Sequence, residues 1–291
     1  MPSTELLQWK KKGNFLNGEH KLFYLDLNPT SEKVILVFHG YPTSSYDYID
    51  VVDRLSEEYR VIIPDFLGFG LSAKPAGHNY FLSDQADQMV LLLESLNIKA
   101  VNIIAHDYGT SVFTEILARS EEGTLPFAIR HTTLCNGSML IHLSQLRPIQ
   151  RLLKNPITGP LIALLSNEKT FHRNMKNIWG DPSLYDIDKM KIHWEMLKYD
   201  NGKIRLPKLT QYINQRYANY DRWIGALKST DLPIHILWAE EDPVAIIKMA
   251  HQLTEMITKN QLTTMKGIGH YPMIEQPDQW TDHVLSQLRI N

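Results

Sequence analysis

Cysteine is almost absent from this chain. Of 291 residues only Cys135 is a cysteine, which excludes an internal disulfide and a cysteine-built metal cluster and fits a reducing compartment. An excess of one charge is also lacking: 30 basic residues face 32 acidic ones, a net charge of -2, and neither sign forms a long block. This balance offers no support for nucleic acid or an anionic membrane as a partner. No apolar run approaches the ~20 residues of a membrane span; the longest, near Ile157 to Leu165, is broken by Gly159-Pro160. The stretch MPSTELLQWK at the N-terminus holds no apolar segment of secretory length, so a soluble, cytoplasmic protein is expected. Internal repeats and low-complexity tracts are missing too.

Two further gaps bear on cofactors. The loop Asp65-Phe66-Leu67-Gly68-Phe69-Gly70-Leu71-Ser72 has no third glycine and no following Lys-Ser/Thr, so it reads as a glycine-shaped turn rather than a phosphate cradle. The histidines, among them His39, His106 and His270, do not stand at zinc-ligand spacing with cysteine or acidic partners. No metal and no cofactor is expected.

What the chain does have is alternation. Short β-branched runs at 33–38, 60–64, 101–106, 130–136, 233–239 and 261–265 read as buried strands. Between the early ones lie helical patterns, as at 83–97, where Met89, Leu92, Leu93 and Leu96 recur at helical spacing. A C-terminal helix over 277–288 is expected, with Trp280, Val284 and Leu288 at four-residue steps. Residues 6–12 and 19–26 read as a first antiparallel pair turning at Asn17-Gly18. The pattern predicts an α/β fold with a mostly parallel sheet, whose ligands sit beyond the carboxyl ends of the strands. His39, Asp65 and Asp107 fall there.

The alternation breaks between Gly137 and Trp223, where short helices meet at Pro148, Pro156, Pro160, Pro182 and Pro207. This stretch is rich in large aromatics, including Phe171, Trp179, Trp194 and Tyr212, which suits a helical core or a lid lining an apolar pocket. The expected division is a core of residues 1–137 and 223–291 with a helical cap, 138–222, inserted in it.

Chemistry concentrates in Ala105-His106-Asp107-Tyr108-Gly109. Asp107 stands between a strand and a helix, and small residues two positions to either side permit a sharp turn, the geometry of a nucleophile elbow. Taken alone it reads more readily as a helix N-cap. A free N–H at Tyr41, in the loop His39-Gly40-Tyr41-Pro42, together with that of Tyr108 would form an oxyanion hole. Further on, Asp242 and His270 each lie just past a strand. The order nucleophile, acid, histidine matches the α/β-hydrolase arrangement, with Glu240 and Glu241 close enough to compete for the acid role.

These motifs, with Asp242-Pro243 and Gly269-His270-Tyr271-Pro272, resemble the α/β-hydrolase superfamily over nearly the whole chain, in the aspartate-nucleophile branch of epoxide hydrolases and haloalkane dehalogenases. Within that branch Gln211-Tyr212-Ile213-Asn214-Gln215-Arg216 and Arg222-Trp223-Ile224-Gly225-Ala226-Leu227 resemble the mesoderm-specific transcript proteins. The resemblance favours Asp242 as the acid. It implies an alkyl-enzyme ester on Asp107, hydrolysed by water that His270 activates, in a site for a small apolar molecule. Tyr212 matches a cap tyrosine that donates a proton to an opening epoxide; no partner tyrosine occurs from Ser138 to Pro182, where His142 or His172 is the available substitute. His39 and Trp179 are further candidates for substrate contact. Epoxide hydrolysis is the first expectation, haloalkane dehalogenation the second, and a non-catalytic binding protein the third.

Overall fold

The computed structural model describes residues 2–290. The chain begins with α1 (Thr4–Lys12), β1 (Asn14–Leu16), β2 (Leu22–Leu27) and β3 (Val34–Phe38). Then come α2 (Val52–Ser56), β4 (Arg60–Pro64), α3 (Leu82–Ser95), β5 (Ala100–His106), α4 (Tyr108–Glu121) and β6 (Ala128–Cys135). A helical stretch follows: α5 (Pro148–Lys154), α6 (Thr158–Leu165), α7 (Glu168–Lys176), α8 (Ile187–Lys198), α9 (Leu206–Leu209), α10 (Tyr212–Ala218) and α11 (Tyr220–Ser229). The chain closes with β7 (Ile234–Ala239), α12 (Ile247–Met256), β8 (Asn260–Met265), α13 (Pro272–Glu275) and α14 (Pro277–Ile290).

The eight strands form one sheet in the order β1-β2-β4-β3-β5-β6-β7-β8. β1 and β2 run antiparallel to their neighbours, and all pairs from β4 to β8 are parallel. Every residue of β3 and β7 is buried, as expected of strands covered on both faces by helices. Each fully buried Val, Ile or Leu there contributes roughly 1.5–3 kcal/mol. Register puts Phe38 beside Ala105 and His106 beside Cys135, so the loops after β3, β5 and β6 leave the sheet along one edge.

Two expectations are corrected. Residues 6–12 lie in a helix, not a strand. The Ser3 hydroxyl caps it by accepting from Leu6 N–H at 3.3 Å, and lysines fill its last turn. Leu6 and Trp9, three apart, form its buried face. An antiparallel pair does form across Asn17-Gly18, but from 14–16 and 22–24. The prolines of the helical stretch also do not simply separate helices: Pro148 opens α5, and Pro160 sits in the first turn of α6, where no N–H is needed. No helix among the described residues is long and apolar enough to cross a membrane.

The turn after β4 is shaped as expected. Gly70 has φ +46, and a Cβ there would lie 2.1 Å from Asp65 Oδ2. Asp65 meanwhile accepts from Ser45 N–H at 2.7 Å and Leu71 N–H at 2.6 Å. This carboxylate therefore ties the loop after β3 to the loop after β4.

Candidate active site

Asp107 occupies the turn between β5 and α4 with φ 43 and ψ -108, a conformation that costs a non-glycine residue on the order of 1–3 kcal/mol. The surroundings enforce it. Gly109 N–H donates to His39 O at 3.1 Å, and Thr110 Oγ1 donates to Asp107 O at 2.6 Å. Gly109 and Gly40 permit the close approach: a Cβ on the first would meet Phe38 Cβ at 2.5 Å, and one on the second His106 Nδ1 at 2.8 Å.

The two carboxylate oxygens of Asp107 have different neighbours. Oδ1 accepts from Tyr41 N–H at 2.7 Å, while Oδ2 lies 3.6 Å from His270 Nε2. The N–H of Tyr108, first residue of α4, has no intrahelical acceptor and no other partner among the described residues. His270 Nδ1 donates to Asp242 Oδ2 at 2.7 Å. Asp242 is fixed in turn by Val244 N–H at 2.7 Å, Ala245 N–H at 3.1 Å and Asn136 Nδ2 at 2.8 Å. Glu240 and Glu241 make no hydrogen bond or ion pair with His270; Asp242 is the acid in position.

Burial alone would raise the Asp107 carboxyl, but the facing His270 imidazolium, with the charge of Arg216, holds it well below the usual carboxylate range. Burial would lower His270, yet the charge of Asp242 and its hydrogen bond, together with the facing carboxylate of Asp107, raise it to about 10. The resting state is thus a buried carboxylate–imidazolium–carboxylate row. His106 is held neutral by burial, at about 4. Its Nε2 lies 2.7 Å from His270 O; a carbonyl only accepts, so Nε2 carries the proton and anchors the His270 backbone.

A cavity of about 220 Å³ opens over Asp107 and His270, with Tyr41, Gln150, Phe171, Met175, Trp194 and Leu197 among its walls. Three expected substrate contacts are absent from those walls. His39 is consumed structurally: Nδ1 donates to Gly40 O at 2.8 Å and Nε2 accepts from Phe66 N–H at 3.1 Å. Trp179 stacks on Tyr271 at 5.5 Å and 24°, and that ring in turn lies against His270. Tyr212 packs between the rings of Tyr41 and Tyr108, 5.6 and 5.3 Å away. Its hydroxyl accepts from Gln150 Nε2 at 3.2 Å, one side chain back from the cavity. The alternatives in the helical stretch are also occupied elsewhere, His142 with Gln252 and His172 with Tyr185. Among the described residues no His/Cys/Asp/Glu group could hold a metal ion.

A family model for the alpha/beta hydrolase fold matches residues 33–277. The chain belongs to the α/β-hydrolase family. This α/β-hydrolase is 35% identical over 289 residues to LipZ of Mycobacterium tuberculosis, covering 99% of each chain. It is 31% identical to the mesoderm-specific transcript protein of Mus musculus, over 94% of this chain and 85% of that one. Among solved structures it is similar in fold to the epoxide hydrolase CorEH (TM-score 0.79, 18% identity, 94% of this chain and 97% of that one).

 It is also similar to the haloalkane dehalogenase DbeA of Bradyrhizobium elkani (TM-score 0.81, 18% identity, 95% of this chain and 97% of that one). At that identity the two structures speak for the fold alone.

Several residues that hold the α/β-hydrolase site together were not singled out from sequence. Glu275 accepts from Gly269 N–H at 3.0 Å and Gly180 N–H at 2.9 Å, and His270 N–H donates to Ile178 O at 2.8 Å. The histidine loop is therefore fastened to the segment after α7. Arg216 is buried, donates to Ser111 Oγ at 2.7 Å and to Asp107 O at 3.3 Å, and lies 4.6 Å from the Tyr212 ring centre. The Asn136 side chain bridges β6 to Ala239 and Asp242. A polar residue at a strand end was the only signal for Asn136; the others act across segments distant in sequence.

Proposed function

We propose that this hydrolase forms a covalent ester on Asp107 and that its substrate is a small apolar epoxide. The observation that carries the reading is the division of labour within one carboxylate. Oδ1 is held by the Tyr41 N–H, which leaves Oδ2, near His270, to attack a saturated carbon. In the ester so formed Oδ1 is the carbonyl oxygen. It already accepts from the Tyr41 N–H, and the unpartnered Tyr108 N–H is the second donor for the oxyanion of the second step, each worth on the order of 3 kcal/mol. Residues 138–222 act as a cap over the core, contributing Gln150, Phe171, Met175 and Trp194 to the cavity.

In the first step the Asp107 Oδ2–carbon bond forms as the ring carbon–oxygen bond breaks; the Gln150 carboxamide, which stands between Tyr212 and the cavity, turns aside as substrate enters, and the ring oxygen takes a proton from the Tyr212 hydroxyl. That hydroxyl accepts from Gln150, so its own proton is free to be given. Esterification removes the Asp107 charge and with it part of what raises His270. The imidazolium then gives up its proton through solvent, and the phenolate regains one. Neutral His270 next takes a proton from water, whose oxygen attacks the ester carbon. On collapse the new carboxyl proton goes to the departing alkoxide, which leaves Asp107 ionised, His270 protonated and the diol released.

A haloalkane reading is favoured by one feature: the walls carry the carboxamides of Gln150, Asn174 and Asn177, N–H donors suited to a halide, while Tyr212 stands behind them. Offering purified protein a panel of small epoxides and haloalkanes separates the two. Diol release, slowed on the order of 10²-fold by Tyr212→Phe, is expected; halide release without diol would replace the epoxide reading.

The proposal also sets a pH dependence. In the ester intermediate His270 loses one of the two carboxylates that hold it at about 10, so its pKa there is lower. Since only neutral imidazole is a base, ester decay in single-turnover experiments is expected to rise with pH and level off below pH 10. Decay that slows as pH rises would contradict this role for His270.

A further inference from the structure

Helix α6 turns its large apolar side chains outward. Ile157, Leu161, Leu164 and Leu165, spaced to share one helical face, are 84%, 56%, 62% and 63% exposed, while the inward face carries Gly159 and Ala163. The inverse arrangement is what a helix on a water-facing protein surface adopts. Gly159 is required there, since a Cβ would lie 2.4 Å from Leu153 O. Leu152 of α5, at 42%, and Ile204, at 43%, are exposed as well, and both adjoining segments pack against α6.

The segment that carries this face is charged mostly in one sign, and in the adjoining 199–205 stretch Asp200 is offset by Lys203 and Arg205. Between residues 141 and 180 the basic residues are Arg147, Arg151, Lys154, Lys169, Arg173 and Lys176, against Glu168 as the lone acid. Lys203 adds an ammonium at the C-terminal end of α6, donating to Leu164 O at 2.9 Å and Ser166 O at 3.1 Å. The near-neutral balance of the whole chain averages over this local excess and so conceals it.

We propose that the α6 face docks on the surface of an anionic phospholipid bilayer, with the leucines in the acyl boundary and the basic rim at the phosphates. A second copy of the chain fits less well, because a two-fold pairing of this patch would set the basic rims against each other. The docked face lies one helix layer from the cavity: α5 presents Leu152 outward and Leu153 to the cavity, and α7 presents Lys169 outward and Phe171 to the cavity. An apolar substrate dissolved in the bilayer would thus have a short route to Asp107.

The test is flotation of the purified full chain with vesicles of phosphatidylcholine alone and of equal parts phosphatidylcholine and phosphatidylglycerol. It reads binding, not turnover, so it stands or falls separately from the epoxide reading. Wild type is expected to float with the anionic vesicles and less so at high salt. Leu161→Asp/Leu164→Asp/Leu165→Asp, checked for wild-type thermal melting, is expected to bind on the order of tenfold less. Arg151→Glu/Lys169→Glu is expected to lose the preference for anionic lipid. Absence of flotation, or equal flotation by wild type and the triple variant, would overturn the proposal. So would a wild-type dimer in buffer that the triple variant abolishes.

Discussion

Asp107→Asn is expected to lower turnover by at least ~10⁴-fold, the scale seen when a nucleophile that acts as part of a unit is removed. Asparagine tolerates the positive φ of this turn, and its side-chain oxygen can still accept from Tyr41 N–H. The fold and cavity are therefore expected to persist. What is lost is the charged oxygen facing His270, and with it one of the two carboxylates that hold the imidazolium at about 10. The variant should melt as a folded protein while its His270 titrates at lower pH, which NMR of the imidazole would follow. Turnover equal to wild type would remove the covalent mechanism.

His270→Gln is expected to separate the two half-reactions. Asp107 Oδ2 still faces the cavity, so ester formation proceeds, but no base remains to activate water. The enzyme should accumulate as an adduct heavier by the full mass of an epoxide substrate, with the increment on the peptide that holds Asp107. Decay of that adduct should be slower by at least ~10³-fold than in wild type. Removal of the imidazolium also takes away the main influence opposing burial at Asp107, so adduct formation should slow somewhat at neutral pH. An unmodified Asp107 peptide, alongside continued product release, would mean that the histidine does not serve the second step.

Much of this architecture was legible because burial on both sheet faces writes itself as unbroken apolar runs. Val34–Phe38, Arg60–Pro64 and Ala100–His106 are strands where the sequence pattern predicts them. Asp107, Asp242 and His270 were legible for a related reason: each follows such a run, and parallel strands bring their carboxyl ends to one edge. Leu6–Lys12 was misread because Leu6-Leu7 followed by Trp9 fits either period, and what decides it is the Ser3 cap. His39, Trp179 and Tyr212 are aromatic residues near the site in sequence or pattern. Whether such a ring faces a cavity or packs behind it depends on tertiary contacts: Phe66 for His39, Tyr271 for Trp179, Gln150 for Tyr212. Glu275 and Arg216 were silent for the same reason, since their partners lie in other segments.

The exposed face of α6 illustrates a different limit. From sequence this run shows only as too short for a membrane span, because composition reports apolarity and not direction. Only the inward placement of Gly159 and Ala163 reveals that the large side chains point away from the protein.

The covalent role of Asp107 is tested most directly by a single turnover of wild type in ¹⁸O-water, with enzyme in excess over an epoxide that it opens. Water that attacks the ester carbon leaves its oxygen in the carboxylate, so the peptide containing Asp107 should gain one heavy oxygen while the diol carries none. A labelled diol with an unlabelled Asp107 peptide would show that water attacks the substrate itself, and the ester mechanism would be wrong.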